Sequence, residues 1–235
     1  MKNLLLSPFD RIALRARKII LQGGSVQRWF DTFDVVEAAN LKAAFESAEY
    51  YERHMLTAKT FRTDLEGLSH AITLAKPNGL FLEFGVATGR SINHISSLHD
   101  DAVYGFDSFE GLPEDWRGDH PKGKFAGPLP TVPAHVHLIK GWFSETLPSF
   151  LERHTGPVSF LHVDCDLYSS TKFIFDTLAD RIQPECVIVF DEYFNYPGWR
   201  EHEKKAFAEF IAKHGVRYRY ESFVRRGQQV TVVIE

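Results

Sequence analysis

From residue 80 onward the chain alternates short apolar runs with stretches of helical spacing, and this rhythm constrains the fold more than any other feature. The runs are Leu80–Phe84, Ala102–Phe106, His135–Ile139, Ser159–Val163 and Val187–Phe190. Helix-patterned segments follow most of them, at Ser91–Leu98, Glu145–Arg153, Ser169–Arg181 and Arg200–His214. Such alternation predicts parallel strands joined by crossover helices. The last run reads Cys-Val-Ile-Val-Phe without a polar break, as expected of a strand covered on both faces. Val216–Phe223 and Gln229–Ile234 instead alternate polar and apolar residues around Arg226-Gly227, the pattern of an antiparallel hairpin at one end of the sheet. The expectation is an α/β fold: a mostly parallel seven-stranded sheet with a C-terminal antiparallel hairpin and helices on both faces.

Residues 1–76 lack strand signals. Three helices are predicted there, over Phe9–Leu21, Val35–Ala48 and Thr60–Lys76, the last carrying Phe61, Leu65, Leu68, Ile72 and Ala75 at three- and four-residue steps. The chain thus divides into an N-terminal helical extension or lid (1–76) and an α/β domain (77–235). With 27 basic against 31 acidic residues it carries a net charge of −4, which argues against a dedicated nucleic-acid binder. No stretch reaches the ~20 apolar residues of a membrane span, and Met1–Leu6 is too short for a secretory signal, so a cytoplasmic protein is expected. Two cysteines exclude a disulfide scaffold. The aromatic content, 14% with 20 Phe, asks for either a ring-rich core or a ligand that needs rings.

The first strand runs into Glu83-Phe84-Gly85-Val86-Ala87-Thr88-Gly89-Arg90-Ser91. Gly85 and Gly89 stand where a strand turns into a helix; glycine allows the required angles and a close ligand approach, and the helix start offers free N–H groups. The spacing is G-x-x-x-G, not the dinucleotide G-x-G-x-x-G. The next strand ends in Asp107, eighteen residues past Gly89, placed either to hold two ribose hydroxyls or to cap the following turn with Ser108. Together these suit an adenosine-containing ligand without a pyrophosphate.

Asp164 and Asp166 follow the fourth apolar run, and Asp191 and Glu192 the fifth. If those strands are neighbours, four carboxylates crowd one rim and need a cation, a shared proton or water; a hard divalent metal is the simplest answer. The alternative is that they point apart and cap turns.

The glycine loop with its strand-terminal acid resembles the class I S-adenosylmethionine (SAM)-dependent methyltransferases. Four further blocks are similar to the macrocin O-methyltransferase family: Phe106-Asp107-Ser108-Phe109-Glu110-Gly111-Leu112-Pro113, Lys140-Gly141-Trp142-Phe143 with Thr146-Leu147-Pro148, His162-Val163-Asp164-Cys165-Asp166-Leu167-Tyr168, and Asp191-Glu192-Tyr193. The resemblance implies a Rossmann-like domain that binds SAM through Glu83, Gly85, Val86, Ala87, Thr88, Gly89, Ser91, Asp107, Ser108, Phe109, Gly141, Trp142 and Asp164. It implies Mg²⁺ held by Asp164, Asp191 and Glu192, Asp166 as general base, and O-methylation of a small-molecule hydroxyl on a sugar or other polar metabolite. Glu192 departs from the family's usual Asp, and Val86-Ala87-Thr88 from a Trp-Arg-Gly type stretch found in antibiotic-tailoring relatives.

His162 is a rival base, or a core histidine beside the site. Trp142, then Phe109, are candidate adenine neighbours or core residues. Tyr168, Tyr193, Phe194, Tyr196 and Trp199 are candidate acceptor-pocket walls, and Glu114–Pro133 a candidate lid. Cys165 is expected to pack rather than react. A homodimer or higher homo-oligomer is compatible with the extension. Other readings are a metal-independent methyltransferase using Asp166 or His162, a nucleotide-dependent oxidoreductase, which the missing middle glycine disfavours, and a non-catalytic SAM-binding partner protein.

Overall fold

Period-two alternation builds the core on both sides of one sheet. In the strands, Phe81, Phe160, Val187 and Val189 point to one face and Leu82, Leu161, Ile188 and Phe190 to the other, all buried. A computed structural model describes residues 34–235. The elements are α1 (Val35–His54), β1 (Lys59–Phe61), α2 (Asp64–Leu74), β2 (Leu80–Phe84), α3 (Arg90–Ser96), β3 (Val103–Asp107), β4 (Val136–Lys140), α4 (Phe143–Arg153), β5 (Val158–Val163), α5 (Tyr168–Leu178), β6 (Ile182–Phe190), α6 (Glu203–His214), β7 (Tyr218–Val224) and β8 (Val230–Ile234). The expected helix over Phe9–Leu21 lies outside the described residues. Ala43–Glu235 form one compact unit, and residues 34–42 carry the start of α1.

The sheet runs in the order β1-β7-β8-β6-β5-β2-β3-β4. Strands β2 to β6 pair in parallel, and β8 is antiparallel to both β6 and β7. One face packs Leu68, Ala71 and Ile72 of α2 and Ile92 and Ile95 of α3. The other packs Leu147 and Phe150 of α4, Ile174 and Phe175 of α5 and Phe207 and Phe210 of α6. This is the expected Rossmann-like α/β architecture with one addition. Residues 1–76 are not free of strand: Lys59–Phe61 forms an eighth strand, parallel to β7 at Ser222–Val224. Three residues show no alternation to read, and their pairing is decided by a distant partner. The helix expected from Thr60 therefore begins at Asp64, where Thr63 and Glu66 form a capping box.

Two features position the site. All parallel strands end at the same rim, where the β2–α3, β5–α5 and β6–α6 connections meet. The β3–β4 connection, Ser108–His135, contains no helix or strand yet is internally bonded: the Leu112 N–H donates to the Lys124 carbonyl at 2.9 Å and the Gly123 N–H to the Leu112 carbonyl at 2.9 Å.

Candidate active site

The glycine loop is shaped by close backbone contact. Gly85 has φ +94°, and a Cβ there would stand 1.7 Å from the Asp164 carbonyl oxygen. Gly89, at φ +80°, precedes α3. Ala87, at φ +45°, shares the left-handed region without glycine's freedom. Asp107 holds this turn: its Oδ2 accepts the N–H groups of Val86 and Ala87, each at 2.8 Å, and its Oδ1 that of Phe109 at 2.6 Å. The acid is thus a clamp between two loops, and its remaining lone pairs face a cavity.

That cavity measures about 630 Å³, within the ~300–1,000 Å³ typical of small-molecule sites. Gly85, Ala87, Asp107 and Ser108 line one end, Trp142 and Phe143 a wall, and Asp164, Asp166, Asp191 and Glu192 the far end. The long connection contributes Trp116, Arg117, His120 and Phe125. Gly141 does not line the cavity; its N–H donates to the Asp107 carbonyl at 3.0 Å, which sets the backbone before Trp142. Phe109 is 7% exposed and packs with Val86 among the α2–α3 residues, whereas Trp142 lines the cavity. Thr88, Ser91 and Val86 border a second, smaller cavity instead.

Glu83 is fully buried and does not reach the large cavity. Its Oε1 accepts the Ser91 hydroxyl at 3.1 Å and its Oε2 faces His162 Nδ1 at 3.0 Å. Burial pushes the Glu83 carboxyl up despite His162. Burial works to lower the His162 pKa, but the hydrogen bond and charge of Glu83 outweigh it and the net shift is upward. This histidine borders the smaller cavity, not the large one.

The rim acids are gathered, not dispersed. Burial, then Asp191 and Asp166, drive Asp164 well above its ordinary range. Burial and the Asp191 charge raise Asp166 to about 7, with Arg117 and Glu192 opposing. Asp166 also sits at φ +63°, a strained conformation for a residue other than glycine. Glu192 is pushed well above its usual value by burial and by Asp191 and Asp164, and its Oε2 is buried without a partner. Of the three expected metal ligands, Asp164 and Asp191 come together; among the described residues their close third is His162, with one ligand atom of each within 4.8 Å of the others, and Glu192 stands outside that group.

Sequence reasoning missed Glu203. It is fully buried at the first position of α6, accepts the Glu192 N–H at 3.1 Å, and leaves Oε1 unpartnered. In sequence it heads an ordinary Glu-Lys-Lys helix start, and only the packing of α6 against α5 turns it inward. Arg117 lies within the long β3–β4 connection, but nothing in the sequence pointed it at Asp166. Its guanidinium stacks 3.8 Å from the Trp116 ring and 4.7 Å from that of Tyr196.

The expected acceptor walls are placed differently. Tyr193, Phe194, Tyr196 and Trp199 are 1–5% exposed, belong to the core, and do not line the large cavity. Tyr193 bonds Tyr220 at 2.6 Å and packs with Tyr50 of α1, while Tyr168 donates to Glu209 at 2.8 Å. Proximity in sequence to the rim did not set direction; the helices covering that face did. Cys165 is buried, and burial raises its thiol well above the usual range, consistent with packing.

Residues 82–193 match the family model described as a methyltransferase domain. That match spans a little under half of the chain; together with the relatives below, on a sheet of Rossmann-like order, it indicates that the chain is a SAM-dependent methyltransferase. It is similar to the mycinamicin III 3''-O-methyltransferase of Micromonospora griseorubida, 28% identical over 214 residues that cover 77% of this chain and 80% of the relative. It is also similar to the 8-demethyl-8-(2,3-dimethoxy-alpha-L-rhamnosyl)-tetracenomycin-C 4'-O-methyltransferase of Streptomyces olivaceus, 28% identical over 158 residues. That match covers 55% of this chain and spans 59% of the relative's length. Among solved structures, the calicheamicin methyltransferase CalS11 shares the fold at a TM-score of 0.57 and 20% identity, over 72% of this chain and 76% of that one. No helix among the described residues is long and apolar enough to cross a membrane.

Proposed function

We propose that the chain transfers the SAM methyl group to a hydroxyl of a small polar acceptor, a sugar or sugar-bearing metabolite, with help from a divalent cation. The observation that carries this is the single cavity with Asp107 and the glycine loop at one end and Asp164, Asp166, Asp191 and Glu192 at the other. Cofactor and acceptor ends are thereby joined in one space. The curated relatives are both O-methyltransferases by name, and the name of one includes a rhamnosyl group, which supports the acceptor class.

Each residue then has a task. Asp107 receives the ribose hydroxyls, Gly85 lets the cofactor approach the backbone, and Trp142 stacks against the adenine. A sulfonium methyl is already activated, so the protein must hold an oxygen in line with it. Trp116, Phe125 and Phe143 exclude water and wall the acceptor. Asp166 takes the acceptor's proton; a pKa near 7 suits a general base at neutral pH. The donor set fits a cation, because crowded buried carboxylates repel one another and Glu192 keeps an orphaned oxygen. A divalent ion, Mg²⁺ in the family this chain resembles, would be held by Asp164 and Asp191, with Glu192 the third carboxylate of that rim, and would supply Lewis acidity that acidifies and orients the hydroxyl.

Calorimetry with S-adenosylhomocysteine tests the cofactor end: micromolar binding is expected, and no binding at high micromolar concentration refutes it. Methyl transfer from labelled SAM to a panel of free and glycoside-linked sugars tests the acceptor.

A further inference from the structure

The strand register sets a second group of donors on the far side of the rim acids. Glu83 is the register partner of His162 across β2 and β5, and Val189 is its partner across β5 and β6. Residues two apart share a face, so Asp164 and Asp191 follow His162 to the α2–α3 side. There they border a cavity of about 180 Å³ while also lining the end of the larger one, so they stand between the two.

His162 is 3% exposed, and its Nδ1 is committed to Glu83 at 3.0 Å. Its Nε2 has no hydrogen-bond partner among the described residues, although the ring lines the cavity. One ligand atom from each of His162, Asp164 and Asp191 lies within 4.8 Å of the other two. Asp191 is steadied from outside, its Oδ1 accepting from Gln229 Nε2 at 3.0 Å. A buried imidazole whose one N–H is held by a carboxylate, with two further carboxylates beside it, is how metal-binding histidines are oriented.

We propose that this chain binds a divalent transition-metal ion through His162, Asp164 and Asp191, with Glu83 as the positioning residue of the imidazole. This rests on Asp164 and Asp191 being metal ligands, but puts His162 where the rim pattern puts Glu192. A nitrogen donor changes the preferred ion: Mg²⁺ favours an all-oxygen shell, whereas imidazole suits Mn²⁺, Co²⁺ or Zn²⁺.

The test uses the full chain, stripped of metal and saturated with S-adenosylhomocysteine. Titration with Mn²⁺ and Mg²⁺ is expected to show Mn²⁺ bound at least about tenfold more tightly, and His162→Gln to weaken Mn²⁺ at least about tenfold and more than Glu192→Gln does. Should His162→Gln fail to fold, pulsed electron paramagnetic resonance on Mn²⁺-loaded wild type decides: imidazole ¹⁴N coupling is expected. Bound Mn²⁺ without nitrogen coupling, loss of binding in Glu192→Gln with retention in His162→Gln, or no Mn²⁺ binding at millimolar concentration would each overturn the proposal. If S-adenosylhomocysteine binds while the metal does not, only the metal claim falls.

Discussion

Asp107→Asn isolates the residue that joins fold to cofactor. In the native chain its two oxygens accept three backbone N–H groups, from Val86, Ala87 and Phe109. Asparagine keeps the shape but has one acceptor oxygen. The cheaper orientation puts that oxygen beneath Val86 and Ala87 and leaves the amide NH₂ facing the Phe109 N–H. Two charge-assisted bonds become neutral, at a loss of about 1 kcal/mol each, and the third is lost outright, at about 2 kcal/mol. Partial exposure of Asp107 to the cavity reduces the total to about 3 kcal/mol, a sizeable share of the ~5–15 kcal/mol stabilising a domain. With an m-value of about 2.5 kcal/mol/M, the urea midpoint should drop by about 1 M. S-adenosylhomocysteine should bind about 10- to 100-fold more weakly, since the ribose loses a charged acceptor. Urea unfolding followed by fluorescence, paired with calorimetry, reads both. A midpoint within about 0.2 M of wild type together with a Kd within about twofold would refute the reasoning.

Gly85→Ala should cost more than about 4 kcal/mol, because its Cβ would meet backbone oxygen at 1.7 Å in a left-handed conformation; soluble yield and a melting curve check this, and a variant melting within a few degrees of wild type contradicts it. Asp166→Asn should slow methyl transfer by about 10²- to 10⁴-fold while leaving S-adenosylhomocysteine affinity near wild type; equal loss of both would assign Asp166 to structure. Asp164, Asp166, Glu192 and Glu203 all have raised folded-state pKa values, so the folded chain holds more protons than the unfolded one above about pH 4. Metal-free protein should therefore lose stability as pH rises through Asp166's value of about 7, and a divalent cation should raise Tm more at about pH 8 than at about pH 5. A flat Tm-against-pH profile by differential scanning fluorimetry would remove the crowding argument.

The parts of the site legible in sequence were those set by local backbone requirements. Gly85 and Gly89 mark a turn that other residues enter only with strain, and Asp107 stands at a strand tip whatever the strand's neighbours. The apolar runs announced β2, β5 and β6 because strands covered on both faces need continuous apolar residues, while β4, at the sheet edge, showed only a short run. The gathering of Asp164, Asp166, Asp191 and Glu192 followed once consecutive strands were taken as adjacent, as β5 and β6 are.

Direction was the part only the tertiary structure decided. Tyr193, Phe194, Tyr196 and Trp199 lie beside the rim in sequence but turn into the core. Glu203 looks like a surface helix residue until α6 buries it. Lys59–Phe61 becomes a strand only because β7 offers an edge, and His162 rather than Glu192 stands closest to Asp164 and Asp191 because of the register between β5 and β6. Local chemistry determines where a chain can turn, cap or extend, whereas the facing of a side chain is a property of two packed elements, and no single stretch of sequence contains both.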